Sequence, residues 1–109
     1  MSGSSFSDYV VNDLLSGFDG VRSRRMFGGY GILKGDTMFA LIAEDELYYK
    51  VSDLNRRDFE EKGSEPFRYT SKGKSVTLSY WKLPSEVMDD FQELEGWTKK
   101  AIRVALSAV

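Results

Sequence analysis

The fold of this chain is governed by residues 21–51, whose sequence is VRSRRMFGGYGILKGDTMFALIAEDELYYKV. Aromatic and aliphatic residues occur there in short blocks without helical periodicity, and turn-forming residues separate the blocks. We predict three strands, which cover residues 21–33, 37–43 and 47–51. Because short turns join them, consecutive strands should pair antiparallel as a meander. Gly28, Gly29 and Gly31 interrupt the first strand and predict a bulge or a close backbone contact, against Trp81 or the first helix.

The segments on either side of this meander complete the domain. Apolar residues at helical spacing predict an amphipathic helix before it, ending near Gly17. After it, we predict a second helix that begins at Ser52 or Asp53 and runs through Lys62. A hairpin follows, with strands at residues 67–70 and 75–83, and then a helical tail after Pro84. The order α-β-β-β-α-β-β-α predicts an α+β fold of two layers, a single five-stranded antiparallel sheet with helices on one face.

Length and composition restrict the class of protein. The chain has 109 residues, of which 41% are hydrophobic and 29% charged, so we expect a single domain over residues 1–109. It has no cysteine and no histidine, which excludes disulfides, zinc fingers and every nucleophile that depends on Cys or His. No pair of carboxylates is placed as a dry acid–base site requires. We therefore predict no catalytic residues, no metal site and no cofactor.

The expected location follows from the absence of targeting signals. Residues 1–8 lack the basic and apolar regions of a signal peptide, and no apolar run approaches the roughly 18 residues of a membrane helix. We therefore expect a cytoplasmic protein without membrane contact.

Two groups of basic residues are candidate contacts for a partner or for nucleic acid. They are Arg22, Arg24 and Arg25 in the first strand, and Arg68, Lys72 and Lys74 in the hairpin. Strand alternation places Arg22 and Arg24 on one face and Arg25 on the other. The alternative is that these side chains pair with carboxylates or are solvated. The formal net charge of −2 does not favour a broad nucleic-acid surface, and the acidic stretch at residues 86–95 would repel phosphates.

Aromatic residues on the strands are candidates for an interface. We single out Tyr30, Tyr80 and Trp81, and we expect the strand that carries Tyr80 and Trp81 to be a sheet edge or a dimer contact. The alternative is that these rings pack in the core or across strands.

Several motifs together resemble one known family. They are RRMFGGYG at residues 24–31, MFALIA at 38–43, PF at 66–67, SYW at 79–81 and LP at 83–84. This combination closely resembles the N-terminal domain of the TfoX/Sxy family of bacterial competence regulators, and the resemblance covers residues 21–106.

The resemblance implies a fold like that of secretion chaperones, no enzymatic activity, and a positive regulator of transformation genes that acts with the cyclic-AMP receptor protein. We therefore predict a non-enzymatic regulatory module that works through protein contacts with the transcription machinery or that receptor protein. Two alternatives remain open. One is a homodimerisation or small-ligand-binding module, and the other is a domain that binds DNA directly through the six basic residues named above.

Overall fold

The computed structural model describes residues 3–26 and 28–107. Its first helix, α1 (Gly3–Tyr9), continues into a π-helical turn at Val10–Leu14. The other helices are α2 (Arg56–Glu61), α3 (Ser85–Met88) and α4 (Phe91–Ser107). The strands are β1 (Val21–Met26), β2 (Gly29–Lys34), β3 (Thr37–Ala43), β4 (Glu46–Lys50), β5 (Pro66–Ser71) and β6 (Lys74–Lys82). Within the residues described, no helix is long and apolar enough to cross a membrane.

Six strands form one open antiparallel sheet in the order β1-β2-β3-β4-β6-β5. The predicted count of five strands is wrong, because residues 21–33 form two strands instead of one. Gly28 lies between them with a φ of 79°, a left-handed conformation that suits glycine, and the chain reverses there. The α+β class and the antiparallel sheet are confirmed, while the element order becomes α-β-β-β-β-α-β-β-α-α. The likeness to secretion chaperones stays a prediction.

Two of the predicted close backbone contacts occur at glycines of β2, but their partners differ from those expected. A Cβ atom on Gly29 would overlap the carbonyl oxygen of Ile42. A Cβ atom on Gly31 would lie 2.8 Å from Sδ of Met26 and 2.9 Å from Sδ of Met38. The prediction that these glycines pack against Trp81 or the first helix is therefore wrong.

The core lies on one face of the sheet. Ile32, Ala40 and Tyr49 lie side by side across β2, β3 and β4, and all three are fully buried. A bulge in β3 adds Phe39 to the same face, where its ring meets that of Tyr49 edge-on, with centroids 5.9 Å apart. Every helix contributes to this core. Its buried helical residues are Val10, Leu14, Phe59, Val87, Leu94, Ala101 and Ala105. The helices therefore share one face of the sheet.

The second helix is shorter than predicted because the segment before it forms a hydrogen-bonded turn. Asn55 is buried, its side-chain oxygen accepts a hydrogen bond from the Ser52 amide at 2.9 Å, and its side-chain nitrogen donates to the Lys50 carbonyl at 3.0 Å. This arrangement fixes the exit from β4 and delays the helix until Arg56. The predicted helical tail divides into α3 and α4.

Candidate interaction surfaces

The face of the sheet opposite the helices is the first candidate surface, and we call it the open face. No helix among residues 3–26 and 28–107 covers it, because the helices place their buried residues in the core on the other side. Its apolar part runs across the whole sheet. The side chains that share it are Met26, Leu33, Met38, Leu41, Tyr48, Phe67, Tyr69, Val76, Leu78 and Tyr80.

Aromatic rings cover the part of the open face that is formed by β4, β6 and β5. The rings of Tyr48 and Phe67 meet edge-on with centroids 5.0 Å apart, and Phe67 stacks against Tyr69 at 6.1 Å. Tyr69 is 44% exposed. Desolvation raises the pKa of Tyr48 and of Tyr80 above the ordinary value of 10.0, so both phenols are neutral at pH 7. The open face therefore presents a group of uncharged aromatic rings to solvent.

The charged groups of the open face are mostly basic. Among the described residues of the face, five are basic and one is acidic, and they are Arg22, Arg24, Lys50, Lys74, Lys82 and Glu46. The whole chain has 15 basic and 17 acidic residues, which leaves ten basic and sixteen acidic side chains elsewhere. The open face thus carries an excess of positive charge, whereas the rest of the chain carries an excess of negative charge.

The first predicted basic group is divided between the two faces, as strand alternation predicted. Arg22 and Arg24 pair with Leu33 and Gly31 on the open face, whereas Arg25 pairs with Tyr30 on the helical side. Arg22 is held by the side chain of Asp36 at 3.4 Å and by the Gly35 carbonyl at 3.2 Å. By contrast, no carboxylate in the described part of the chain forms an ion pair with Arg24, which is exposed.

The second predicted basic group lies at the other end of the sheet. Arg68 is on the helical side of β5, 3.8 Å from a carboxylate oxygen of Glu65. Lys72 lies at the tip of the hairpin with a φ of 52°, and Lys74 lies on the open face. Because β1 and β5 are the two edges of a six-stranded sheet, about 24 Å separates the two groups. The structure therefore does not unite the six basic residues in one site.

The predicted interface aromatics also divide between the faces. Tyr30 and Trp81 lie on the helical side and pack against the core, where the Trp81 ring is 6.3 Å from that of Phe59. Tyr80 lies on the open face, and the Nζ atom of Lys50 lies 4.9 Å from its ring centroid. The strand that carries Tyr80 and Trp81 lies between β4 and β5, so the prediction that it is a sheet edge is wrong.

Sequence reasoning missed most of the aromatic rings of the open face. Tyr48, Phe67 and Tyr69 are not among the predicted interface residues, although each lies two residues from another open-face position on its own strand. The period of two along β4, with Glu46, Tyr48 and Lys50 on one face, was the available signal. It shows which residues share a face but not which face the helices cover.

The second candidate surface is acidic and lies on the helical layer at the start of α4. Phe91 is 71% exposed there, close to a shallow apolar groove that Leu14, Phe18 and Leu94 also line. Glu95 lines the same groove, and three further exposed carboxylates lie within five residues of Phe91 along the chain, at Glu86, Asp89 and Asp90. We call this group of Phe91 and four carboxylates the acidic surface.

One lysine lies beside the acidic surface. The Lys62 ammonium donates a hydrogen bond to Glu86 at 3.3 Å and lies 3.6 Å from Glu93. The hydrogen bond and the negative charge of Glu86, together with Glu93, raise the pKa of Lys62 above 10.5. The ammonium is therefore charged at neutral pH and offsets part of the local negative charge.

A shallow cavity of about 190 Å³ lies at the end of the sheet where the β1–β2 and β3–β4 turns meet. Gly28, Gly29, Tyr30 and Ile42 line it, together with the exposed turn residues Glu44 and Asp45. Among the described residues, no group of three or more Asp or Glu side chains is placed to hold a metal ion. No charged or polar side chain is buried among the described residues that line the cavity, so none is placed to select a ligand.

Comparison with known proteins assigns the chain to a family. The family model described as the TfoX N-terminal domain matches residues 13–105. The chain belongs to this family. The matched region of this TfoX N-terminal domain contains all six strands, so it includes the whole open face, and it also contains Phe91 and the carboxylates around it.

Two curated relatives resemble this TfoX N-terminal domain. One is Protein Sxy of Escherichia coli (strain K12), which is 24% identical over 98 residues, or 90% of this chain and 47% of the relative. The other is DNA transformation protein TfoX1 of Aliivibrio fischeri (strain ATCC 700601 / ES114), which is 32% identical over 77 residues, or 64% of this chain and 37% of the relative. The chain thus spans less than half the length of either relative.

Proposed function

We infer that this TfoX N-terminal domain is a non-enzymatic regulatory module that promotes transcription of the genes for natural competence, in the cytoplasm. The family match over residues 13–105 is the observation that carries this proposal. The name of the similar TfoX1, a DNA transformation protein, supports the same process. A non-enzymatic role is supported by the surface chemistry, since the four carboxylates of the acidic surface and those of Glu44 and Asp45 are exposed, where water screens them.

The acidic surface is the part of the domain that we assign to a protein partner. Aromatic residues are enriched at the centre of protein interfaces, and the rim around them is polar, as exposed Phe91 and its neighbouring carboxylates would be. Its carboxylates disfavour contact with phosphates, so a nucleic acid is a poor occupant of this side of the molecule. A protein with a basic surface fits better. The cyclic-AMP receptor protein and RNA polymerase both bind DNA, and they are the partners that we propose.

The alternative of a dimer through the first edge strand has less support. Arg22, Arg24 and Arg25 occupy three of the six positions of β1, and all three are exposed. Two copies of this strand paired antiparallel would bring like charges together, which opposes edge-to-edge association.

A binding experiment tests the proposal. A labelled competence-promoter duplex is titrated with the cyclic-AMP receptor protein, with and without the domain, and fluorescence anisotropy is measured. The same titration with RNA polymerase forms the second arm. We expect the domain to tighten binding of at least one protein to the duplex, because its acidic surface contacts that protein. If the domain alters neither titration at low salt, the proposed mechanism is wrong.

A matched pair of variants locates the contact. Phe91 and Leu106 lie near opposite ends of α4 and are 71% and 58% exposed. We expect Phe91→Ala to abolish most of the effect of the domain and Leu106→Ala to leave it intact. Equal effects of the two substitutions would place the contact away from the acidic surface.

A further inference from the structure

The open face combines two properties that nucleic-acid-binding sheets also combine. It has uncharged aromatic rings on β4, β6 and β5 and basic side chains on β1, β4 and β6, with five basic residues against one acidic residue on its strands. Aromatic rings on a sheet stack with unpaired bases, and basic groups beside them neutralise the phosphates. The concentration of positive charge on this face is notable because the whole chain has a net charge of −2.

The register of the sheet places these groups in a continuous row. Arg24, Gly31, Leu41, Tyr48 and Lys82 lie opposite one another across β1, β2, β3, β4 and β6. Four strand spacings separate the ends of the row, or about 19 Å. A basic group therefore lies at each end, and an aromatic ring and small or aliphatic side chains lie between them. An extended strand of nucleic acid that follows this row meets positive charge at both ends.

The available cations are not neutralised by the protein itself. In the described part of the chain, Arg24, Lys50 and Lys74 form no ion pair with a carboxylate. Lys82 contacts Glu46 at 3.4 Å, but both side chains are about half exposed, so water screens this pair strongly. Phosphates are the natural partners of these cations.

We propose that the open face binds single-stranded nucleic acid, with bases stacked on the ring of Tyr69 and its aromatic neighbours and with phosphates on Arg24, Lys50 and Lys74. Across β1, β2, β3 and β4 the face is a broad sheet, which does not enter the major groove of a duplex. Only the outer part of the β5–β6 hairpin, which carries Tyr69 and Lys74, extends past β4. The bases of a duplex are also stacked on each other and present no free ring surface. This site is separate from the acidic surface, so it does not depend on the function proposed above.

The experiment measures binding to the domain alone. A fluorescein-labelled oligothymidylate of about 16 nucleotides, within the range that sheet-based modules occupy, is titrated with the domain by anisotropy. The titration is repeated between about 50 and about 200 mM salt, because phosphate contacts make affinity fall as salt rises. Oligouridylate of the same length compares RNA with DNA, and a duplex of the same length tests selectivity. We expect binding of both single strands, a clear salt dependence and weaker binding of the duplex.

Two pairs of matched variants test the placement. Arg24 and Arg25 are neighbours on β1 that face opposite sides of the sheet. We expect Arg24→Gln to lower the salt slope by about 0.7, the value for one phosphate contact with a single strand, and Arg25→Gln to leave it unchanged. Tyr69 and Tyr9 are 44% and 43% exposed, on the open face and on α1. Loss of one stacked base predicts that Tyr69→Ala weakens binding about fivefold or more, whereas Tyr9→Ala does not.

Several outcomes would overturn the proposal. These are no binding at the lowest salt, equal affinity for the duplex, and equal loss in both members of each pair. Displacement of the oligonucleotide by polyglutamate of equal charge would instead identify an acidic polypeptide as the occupant. Circular dichroism of each variant establishes that it is folded. Since the receptor protein is absent from this experiment, its failure and that of the proposed regulatory function are distinguishable.

Discussion

Gly29 is the described glycine at which an added Cβ atom would make the closest contact. The backbone of β2 passes so close to β3 there that a Cβ atom would overlap the carbonyl oxygen of Ile42. Both groups belong to paired strands and move only if the sheet moves. We expect Gly29→Ala to lower the free energy of unfolding by about 2 kcal/mol or more, in the range typical of severe packing errors. Urea unfolding followed by circular dichroism measures this loss.

The same substitution at another glycine provides the control. Gly96 lies in α4, and nothing lies within 4 Å of a Cβ atom built there. Because alanine is the better helix former, we expect Gly96→Ala to raise the free energy of unfolding by up to about 1 kcal/mol. Opposite signs at the two positions are expected. A neutral Gly29→Ala would mean that β2 and β3 are not so closely apposed.

The buried phenol of Tyr49 makes the free energy of unfolding depend on pH in the alkaline range. Burial raises the pKa of its phenol far above the ordinary value of 10.0, although a hydrogen bond of 2.6 Å with Thr98 opposes the shift. The unfolded chain therefore releases this proton above pH 10 while the folded chain retains it. The contribution of this phenol to the free energy of unfolding is complete below pH 10. Above pH 10 the free energy of unfolding falls, by up to about 1.4 kcal/mol per pH unit for one tyrosine.

We expect Tyr49→Phe to flatten the fall in stability above pH 10. Near neutral pH it should cost about 1 kcal/mol, because Thr98 loses its buried partner. The free energy of unfolding, measured in urea at several values from about pH 9 to about pH 11.5, gives the slope. The matched control is Tyr9→Phe, since that ring is 43% exposed. Equal slopes for Tyr49→Phe and the unchanged protein would contradict the role given to burial.

At the scale of elements, the sequence predicted most strands but not every boundary. The hairpin of β5 and β6 was predicted within a residue or so at each end, because Lys72 and Gly73 are clear turn residues between alternating strands. The division of residues 21–33 was missed, since a glycine within a strand is equally consistent with a bulge and with a turn. Only the pairing of β1 with β2 distinguishes these two arrangements.

The start of α4 depends on one side chain. The Oδ1 atom of Asp90 accepts hydrogen bonds from the amides of Gln92 at 3.1 Å and Glu93 at 3.2 Å, which would otherwise have no partner at a helix end. We expect Asp90→Ala to lower the free energy of unfolding by about 1 kcal/mol, and Asp90→Asn to restore most of it. Urea unfolding measures both. The neighbouring Asp89→Ala is the control, and an equal loss there would show that charge rather than capping is responsible.

The candidate surfaces become visible only at the scale of the whole molecule. Strand alternation showed that Arg22 and Arg24 share a face, and this was correct. It did not show that Lys50, Tyr48 and Lys74 lie on that same face, because the order of strands is fixed by long-range pairing rather than by local sequence. Net charge was misleading for the same reason. A total of −2 hides the separation of the basic open face from the excess of acidic groups elsewhere in the chain.

This separation predicts an affinity for polyanions that the net charge does not. At pH 7 the chain is negative, with an isoelectric point near 5.2, so an even distribution of charge would prevent retention on immobilised heparin. We expect the domain to be retained at low salt and to elute as salt rises. Replacing Arg24, Lys50 and Lys74 by Gln should abolish retention. Replacing the exposed helical residues Arg57, Lys99 and Arg103 by Gln removes the same charge, and this variant should still be retained. If both triple variants elute together, total charge controls binding and the open face has no special affinity.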